Sequence, residues 1–342
     1  MLVPLAFKRQ TIDKPLWLLA GDVGGTKVNM ALYRADHTGL HAVRQKKFHS
    51  DEYKSLNEIV RSFIGNEAIP ERICMAVAGP VMDGKVDITN LPWHCDSNAL
   101  SKELQDANVV FINDLEATAY GLAGLHADEL CILNEGNLAL KGNIGIIAPG
   151  TGLGEAGLFW DGTRYHPFAC EGGHCVFASQ TQLDFELYQW LKNKFDNISW
   201  ERLVCGPGIH SIFLFLTEAK QMKVAANILQ QMETDDPSAV ISEHALAGDC
   251  VVCTKTMELF TGYLATEANC LALKYKATGG IFIGGGIPPK ILPLLQTPAW
   301  LERFFDSDRM QPLLQQVPVR VLLNAKTALL GAAYYGAYSM ER

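Results

Sequence analysis

Leu19-Ala20-Gly21-Asp22-Val23-Gly24-Gly25-Thr26-Lys27-Val28-Asn29-Met30-Ala31-Leu32 is the stretch on which the fold turns. An apolar run ends in a small-residue turn, and a second strand-like run follows, as in a β-hairpin. Further along comes a second stretch of the same kind, Ile146-Ile147-Ala148-Pro149-Gly150-Thr151-Gly152-Leu153-Gly154-Glu155-Ala156-Gly157-Leu158. Glycine lets the backbone approach an anion with no Cβ in the way. Bare N–H groups in such a turn point at phosphate oxygens. Either loop alone reads equally well as an ordinary tight hairpin. The two together suggest a polyphosphate gripped from both sides of a cleft.

Working outward, residues 16–21 and 27–33 form an antiparallel hairpin around the first turn, and 42–49 is a further strand. Leu56, Ile59, Val60 and Phe63 have helical spacing within 53–64. A buried strand over 72–78 ends in Ala78-Gly79-Pro80. Residues 81–83 and 85–88 read as a short hairpin across Asp83-Gly84, and Ser97 as the N-cap of a helix through Leu104. The apolar strand 109–112 leads through Asn113-Asp114 into a helix over 115–125. The pattern then restarts. Strands 144–148 and 155–160 flank the second turn, and Asp161-Gly162-Thr163 turns into another strand. Helices follow over 182–194, 208–219, 237–247 and 249–275. Strand 280–283 ends in Gly284-Gly285-Gly286, strand 319–322 is the last, and helix 326–338 closes the chain. Each half opens with a glycine-turn hairpin and continues into β–α units. This is a weak duplication of topology, not of residues.

A chain of 342 residues is comfortable for two cores. The formal net charge is −8 and the pI about 5.6. That balance argues against nucleic acid or an anionic membrane as partner, both of which want a basic face. It leaves room for a phosphate site made of backbone amides. No apolar run approaches the ~20 residues that span a bilayer, and residues 1–10 do not read as a secretory signal. Nine cysteines with irregular spacing predict reduced thiols in a cytoplasm. Cys250-Val251-Val252-Cys253 is a CxxC without a second pair. It reads as two thiols on one helix face rather than as zinc or redox chemistry.

Several further segments carry chemistry. They are Thr89-Asn90 with Trp93, Ile112-Asn113-Asp114, Glu171-Gly172-Gly173-His174, Glu201-Arg202-Leu203 before Cys205-Gly206-Pro207-Gly208, Phe282-Ile283-Gly284-Gly285-Gly286-Ile287, and Leu330-Gly331-Ala332-Ala333. With the two glycine loops, in this order over nearly the whole chain, they resemble the bacterial glucokinase family of the hexokinase/actin/Hsp70-type ATPase superfamily. Each motif alone is weak; the set is specific.

The resemblance implies that Gly21, Asp22, Gly24, Gly25 and Thr26 face the β- and γ-phosphates of ATP. Gly150, Thr151 and Gly152 then lie on the opposite wall. Asp22 would repel a phosphate chain unless a cation intervened, and Mg²⁺ held partly through water fits a lone carboxylate. Lys27 stands where many close relatives carry asparagine. It either adds positive charge near the phosphates or is a solvated strand residue. By local rules Asn113-Asp114 is a helix cap; the resemblance makes Asp114 the catalytic base, with Asn113 on neighbouring sugar hydroxyls. Glu171, His174 and Glu201 complete a set of donors and acceptors suited to a pyranose. Only Cys170 and Cys175 flank the Glu171 segment, without the clustered cysteines of the related repressor/kinase sugar family, so no zinc is expected. Gly284, Gly285 and Gly286 either close a generic strand–turn–helix or, by resemblance, receive adenosine, with Pro288 or Pro289 opening a helix.

The expected architecture is α/β, with two ribonuclease-H-like domains of actin-type ATPase topology flanking a cleft. The smaller domain would take 1–120 plus 323–342 and the larger 121–322. ATP would lie mainly on the larger, sugar between the two, with closure excluding water. The implied reaction is ATP plus D-glucose to ADP plus glucose 6-phosphate, the first step of glycolysis, in a cytoplasmic homodimer. One alternative is a kinase for another hexose, an amino sugar or a short-chain acid. An acid would need no hydroxyl base. Another is a sugar-sensing regulator of the same fold, which usually adds a helix-turn-helix; about 15 residues precede the first strand, too few for that module.

Overall fold

The computed structural model describes residues 3–8, 11–88 and 91–340. Thr89-Asn90, part of the motif set, lies outside the described residues. The chain divides into two compact units: Met1–Glu129 with Leu158–Ala169 and Asn324–Arg342, and Leu130–Gly157 with Cys170–Leu323. Helices and sheets are mixed throughout.

In the first unit the strands are β1 (Leu16–Val23), β2 (Lys27–Asp36), β3 (Gly39–His49), β4 (Arg72–Val77), β5 (Lys85–Asp87), β6 (His94–Asp96) and β7 (Asn108–Asn113). Five of them form a sheet in the order β3-β2-β1-β4-β7. The β1–β2–β3 meander is antiparallel. β4 runs parallel to both β1 and β7. Every residue of β4 is buried, as befits a parallel strand covered on both faces. One face packs the helix Leu56–Ile64, whose Leu56, Ile59, Val60 and Phe63 share a core with Ile73, Met75 and Phe111. Ser55 caps that helix, accepting from the Glu58 amide, and Gly65 ends it at φ +62°.

The helix Thr327–Tyr338 packs against β1, β4 and the helix Asp114–Gly121. A Cβ on Gly331 would stand 1.6 Å from the Ala117 carbonyl oxygen, and one on Gly121 2.1 Å from that of Thr327. The two helices therefore meet backbone to backbone. Arg72 Nη1 donates to the carbonyls of Gly336 at 2.8 Å and Ala337 at 2.9 Å. A buried cation thus serves the last carbonyls of the closing helix.

The hairpin across Asp83-Gly84 is present as a single antiparallel bridge, Met82 to Lys85, and β5 goes on to pair with β6. That register sends Val86, Ile88, Trp93 and Cys95 together into the core, with Val81 packed against it. One local expectation is corrected here. Asp96, not Ser97, caps the next helix, its Oδ1 accepting from Asn98 at 2.8 Å and Ala99 at 3.2 Å.

The second sheet takes β8 (Leu130–Asn134), β9 (Ile144–Pro149), β10 (Leu153–Trp160), β11 (Tyr165–Cys170), β12 (Gly280–Ile283) and β13 (Val319–Leu322) in the order β11-β10-β9-β12-β13-β8. β9, β12 and β13 run parallel; β8 is antiparallel on the edge. Without β8, the strand order repeats that of the first sheet. The core joins Ile147, Ile281, Ile283, Val319 and Val321 to Phe260, Leu264, Ala268 and Leu271 of the helix Val251–Tyr275. Cys250 is the N-cap of that helix, with its sulfur accepting from the Cys253 amide at 3.3 Å. All nine cysteines are free thiols. Among the described residues no helix is long and apolar enough to cross a membrane.

Candidate active site

In the first unit, the paired strand ends Val23, Val77 and Asn113 bring three loops to the carboxyl edge of one sheet. Ligands of open α/β sheets bind at that edge. The β1–β2 turn is held by the Gly24 amide on the Lys27 carbonyl at 3.0 Å and by Ser50, whose Oγ donates to the Gly24 carbonyl at 3.2 Å. A Cβ on Gly21 would stand 2.2 Å from Met75 Sδ, so the glycine there serves packing. Thr26 is exposed and Gly25 half-buried. Lys27 is exposed at the start of β2. Asp22 is half-buried; desolvation raises its pKa, opposed by a hydrogen bond from Asn29 Nδ2 at 3.2 Å. Asn29 was not singled out in the sequence. Its only signal was position, since it faces Asp22 across the hairpin register.

Asn113 ends β7 and caps the next helix. Its Oδ1 accepts from the Leu115 amide at 2.9 Å and the Glu116 amide at 3.2 Å, and its Nδ2 donates to the Gly79 carbonyl at 3.2 Å. The Ala78 amide in turn donates to the Val23 carbonyl at 3.1 Å. Local cap chemistry is therefore realised by Asn113. Asp114, the first helical residue, is half-buried, with Oδ1 accepting from the Leu115 amide at 2.9 Å.

In the second unit, Gly150–Gly152 and Gly284–Gly286 lie beyond the carboxyl ends of the parallel neighbours β9 and β12. The Gly150 amide donates to the Gly152 carbonyl at 2.8 Å, and the Gly206 amide to the Gly150 carbonyl at 2.9 Å. Thr151 is exposed at the tip. Gly284 donates to the Ile147 carbonyl at 2.8 Å. Gly285 sits at φ +85°, where a Cβ would stand 2.3 Å from the Pro149 oxygen, so two conditions require glycine. Around Gly150 and Gly286 the Cβ positions are open. Pro288 opens a short 3₁₀ turn, Pro288–Ile291.

The hydroxyl-binding candidates converge on Leu153. Its amide donates to Glu201 Oε2 at 3.0 Å, and its carbonyl would lie 2.1 Å from a Cβ on Gly173. Glu201 thus braces the second glycine turn; a Cβ on Gly152 would stand 2.5 Å from Glu201 Oε2. The Cys205 thiol holds Glu201 from behind by donating to its carbonyl at 2.8 Å. Glu171 and His174 flank the short turn Gly172–His174, with Oε2 and Nε2 4.0 Å apart and side chains 55% and 62% exposed. Both are therefore open to a ligand. Trp93, part of the motif set, lies in the loop before β6 and is 3% exposed, packed in the core of the first unit. Among the described residues no group of three His, Cys, Asp or Glu side chains is placed to hold a metal ion.

A half-buried carboxyl at a helix start, glycine turns at two sheet edges and an exposed Glu–His pair suit a sugar kinase. The glucokinase family model matches residues 19–338. The chain is 39% identical over 336 residues to a glucokinase of Nostoc punctiforme, covering 94% of this chain and 98% of that one. Its fold is similar to that of a glucokinase from an Antarctic psychrotroph, with TM-score 0.79 and 31% identity, covering 95% of this chain and 99% of the other. A ROK family glucokinase from Streptomyces griseus, solved with glucose and AMPPNP, shares the fold at TM-score 0.62 and 19% identity, covering 93% and 98% of the two chains. The chain belongs to the glucokinase family, and it is a hexose kinase.

Proposed function

We propose that this enzyme transfers the γ-phosphoryl group of ATP to the 6-hydroxyl of D-glucose. The observation that carries the reading is Asp114 at the carboxyl edge of β7, on the first turn of the helix Asp114–Gly121. In this reading Asp114 accepts the 6-hydroxyl proton as the oxygen attacks phosphorus. Asn113 is held by its backbone bonds and orients the neighbouring hydroxyl. Glu171 and His174 take ring hydroxyls, with Glu201 bracing the wall beside them. The amides at Gly24–Thr26 and Gly150–Gly152 receive phosphate oxygens, and Gly284–Gly286 receive the adenosine.

Asp22 fits a Mg²⁺ held through water: it is a single desolvated carboxyl with an amide as its hydrogen-bond neighbour. Mg²⁺ keeps most of its waters and needs one or two carboxylates. When bound with ATP it would neutralise charge developing on the phosphates.

The common strand order supports each unit being a ribonuclease-H-like domain of actin-type ATPase topology. A cytoplasmic location, supported by nine unpaired thiols, and a homodimer complete the proposal; sedimentation tests the latter. Glucose-dependent ADP release is the decisive assay. ADP release with an N-acetyl amino sugar but not with glucose would point to the alternative kinase. Sugar binding without ADP release would point to a regulator.

A further inference from the structure

Behind the 171–174 turn, the second unit buries ionisable side chains that the proposed phosphoryl transfer does not use. Glu155, on β10, is 2% exposed, and Glu267, on the helix Val251–Tyr275, is 0% exposed. Lys274 Nζ donates to Glu267 Oε1 at 3.1 Å. Each carboxyl leaves one buried oxygen without a partner, Glu155 Oε1 and Glu267 Oε2. The two side chains are nevertheless within hydrogen-bonding reach of each other. Two carboxylates have no hydrogen to share; a bond between them needs a proton on the pair. Lys274 offsets one negative charge, and a second would be buried uncompensated. The other ionisable groups around the pair are Cys270 and Tyr275 of the same helix, and Cys170, Glu171 and Cys175 on the turn side. None of these supplies a positive charge.

This pair touches the turn directly. Glu155 Oε2 lies 1.9 Å from the point where a Cβ on Gly172 would stand. The turn is also tied to the helix through Cys170, whose sulfur accepts from Tyr275 Oη at 3.0 Å and from the Gly172 amide.

We propose that the proton shared by Glu155 and Glu267 sets the position of the 171–174 turn, which makes Glu155 a positioning residue of the sugar site. The proposal rests on the reading of that turn as hydroxyl-binding. With the proton gone, the carboxylates repel. Glu267 is tethered by Lys274, so Glu155 moves, and the backbone it meets is that of Gly172. Glu171 and His174 shift with the turn. Burial and the nearby Glu267 push the Glu155 carboxyl up to about 8, so the proton is present at neutral pH and is lost on mild alkalinisation. Asp114 and the phosphate loops are not part of the cluster, so sugar affinity changes while turnover at saturating glucose does not.

The test is the glucose KM of the full enzyme from about pH 7 to about pH 9.5, a window free of ordinary carboxylate titration. The wild type should show a rise of about 5-fold or more, a loss of roughly 1 kcal/mol, with its midpoint near 8. The KM for ATP and kcat at saturating glucose should not follow that rise. Glu155→Gln keeps a donor toward Glu267 at every pH and should hold the glucose KM flat. Infrared spectra of the wild type should show a protonated carboxyl at neutral pH that disappears over the same range. A flat wild-type KM, the same rise in Glu155→Gln, or no such carboxyl band would overturn the proposal. Should Glu155→Gln not fold, the wild-type KM profile and the band decide. Glu171→Ala separates the two readings. An unchanged glucose KM in that variant refutes the sugar role of the turn, and a raised one beside a flat wild-type profile refutes the proton alone.

Discussion

Asp114 and Asn113 are adjacent in sequence and do different work. Asn113 spends its side chain on the backbone, capping one helix and tying Gly79, while Asp114 sits one position on with the helix dipole behind it. Asp114→Asn preserves the shape and removes the proton acceptor. General-base catalysis is worth ~10²–10⁴-fold, so kcat should fall by that order while equilibrium glucose binding persists; near-normal turnover would remove Asp114 from the role. Glu171→Ala or His174→Ala leaves a sugar hydroxyl unpaired once bound, at about 1–3 kcal/mol. The glucose KM should rise about 5- to 150-fold and the ATP KM little; steady-state kinetics in both substrates distinguishes this from a nucleotide role. Asp22→Asn should weaken apparent Mg²⁺ affinity by about 10–100-fold, as for other groups acting on a metal through an intervening ligand. Activity titrated against Mg²⁺ at fixed ATP measures it.

At the scale of elements, hairpins and β–α units were readable because their signals are local. Glycine turns, alternation and helical spacing span a few residues, and strands β1, β4, β7, β9, β12 and β13 fall where those signals place them. β8 was not readable: its five residues are almost all half-buried on an edge, with no alternation. The helix Ala226–Thr234 escaped for a related reason, since Ile228 is its one buried residue. The Gly121–Gly331 crossing shows a motif whose reason is packing rather than ligand contact. Gly331→Ala drives a methyl group into the Ala117 carbonyl, 1.6 Å away before relaxation. Overpacking of this kind costs about 1–3 kcal/mol or more, so thermal unfolding should shift down by several degrees. An unchanged melting temperature would show that the crossing is slack.

At the scale of the whole molecule, the first unit depends on both ends of the chain. The closing helix covers β1 and β4, and Arg72 is buried against its last carbonyls. Removing residues 324–342 strips that cover and takes away the Gly336 and Ala337 carbonyls that the guanidinium serves. Limited proteolysis of the truncated chain should then cut within 16–121 while 170–323 stays protected; protection of both segments would contradict this dependence. By itself the sequence determined the mixed α/β class and the paired glycine turns, because residue type, turn chemistry and periodicity act over a few positions. Tertiary structure alone decided that Glu201 braces the second turn through Leu153, that Trp93 is core, and that Glu155 meets Glu267 behind Gly172. Those contacts join residues far apart in the chain, and their free energy comes from desolvation and close packing, which no local spacing encodes.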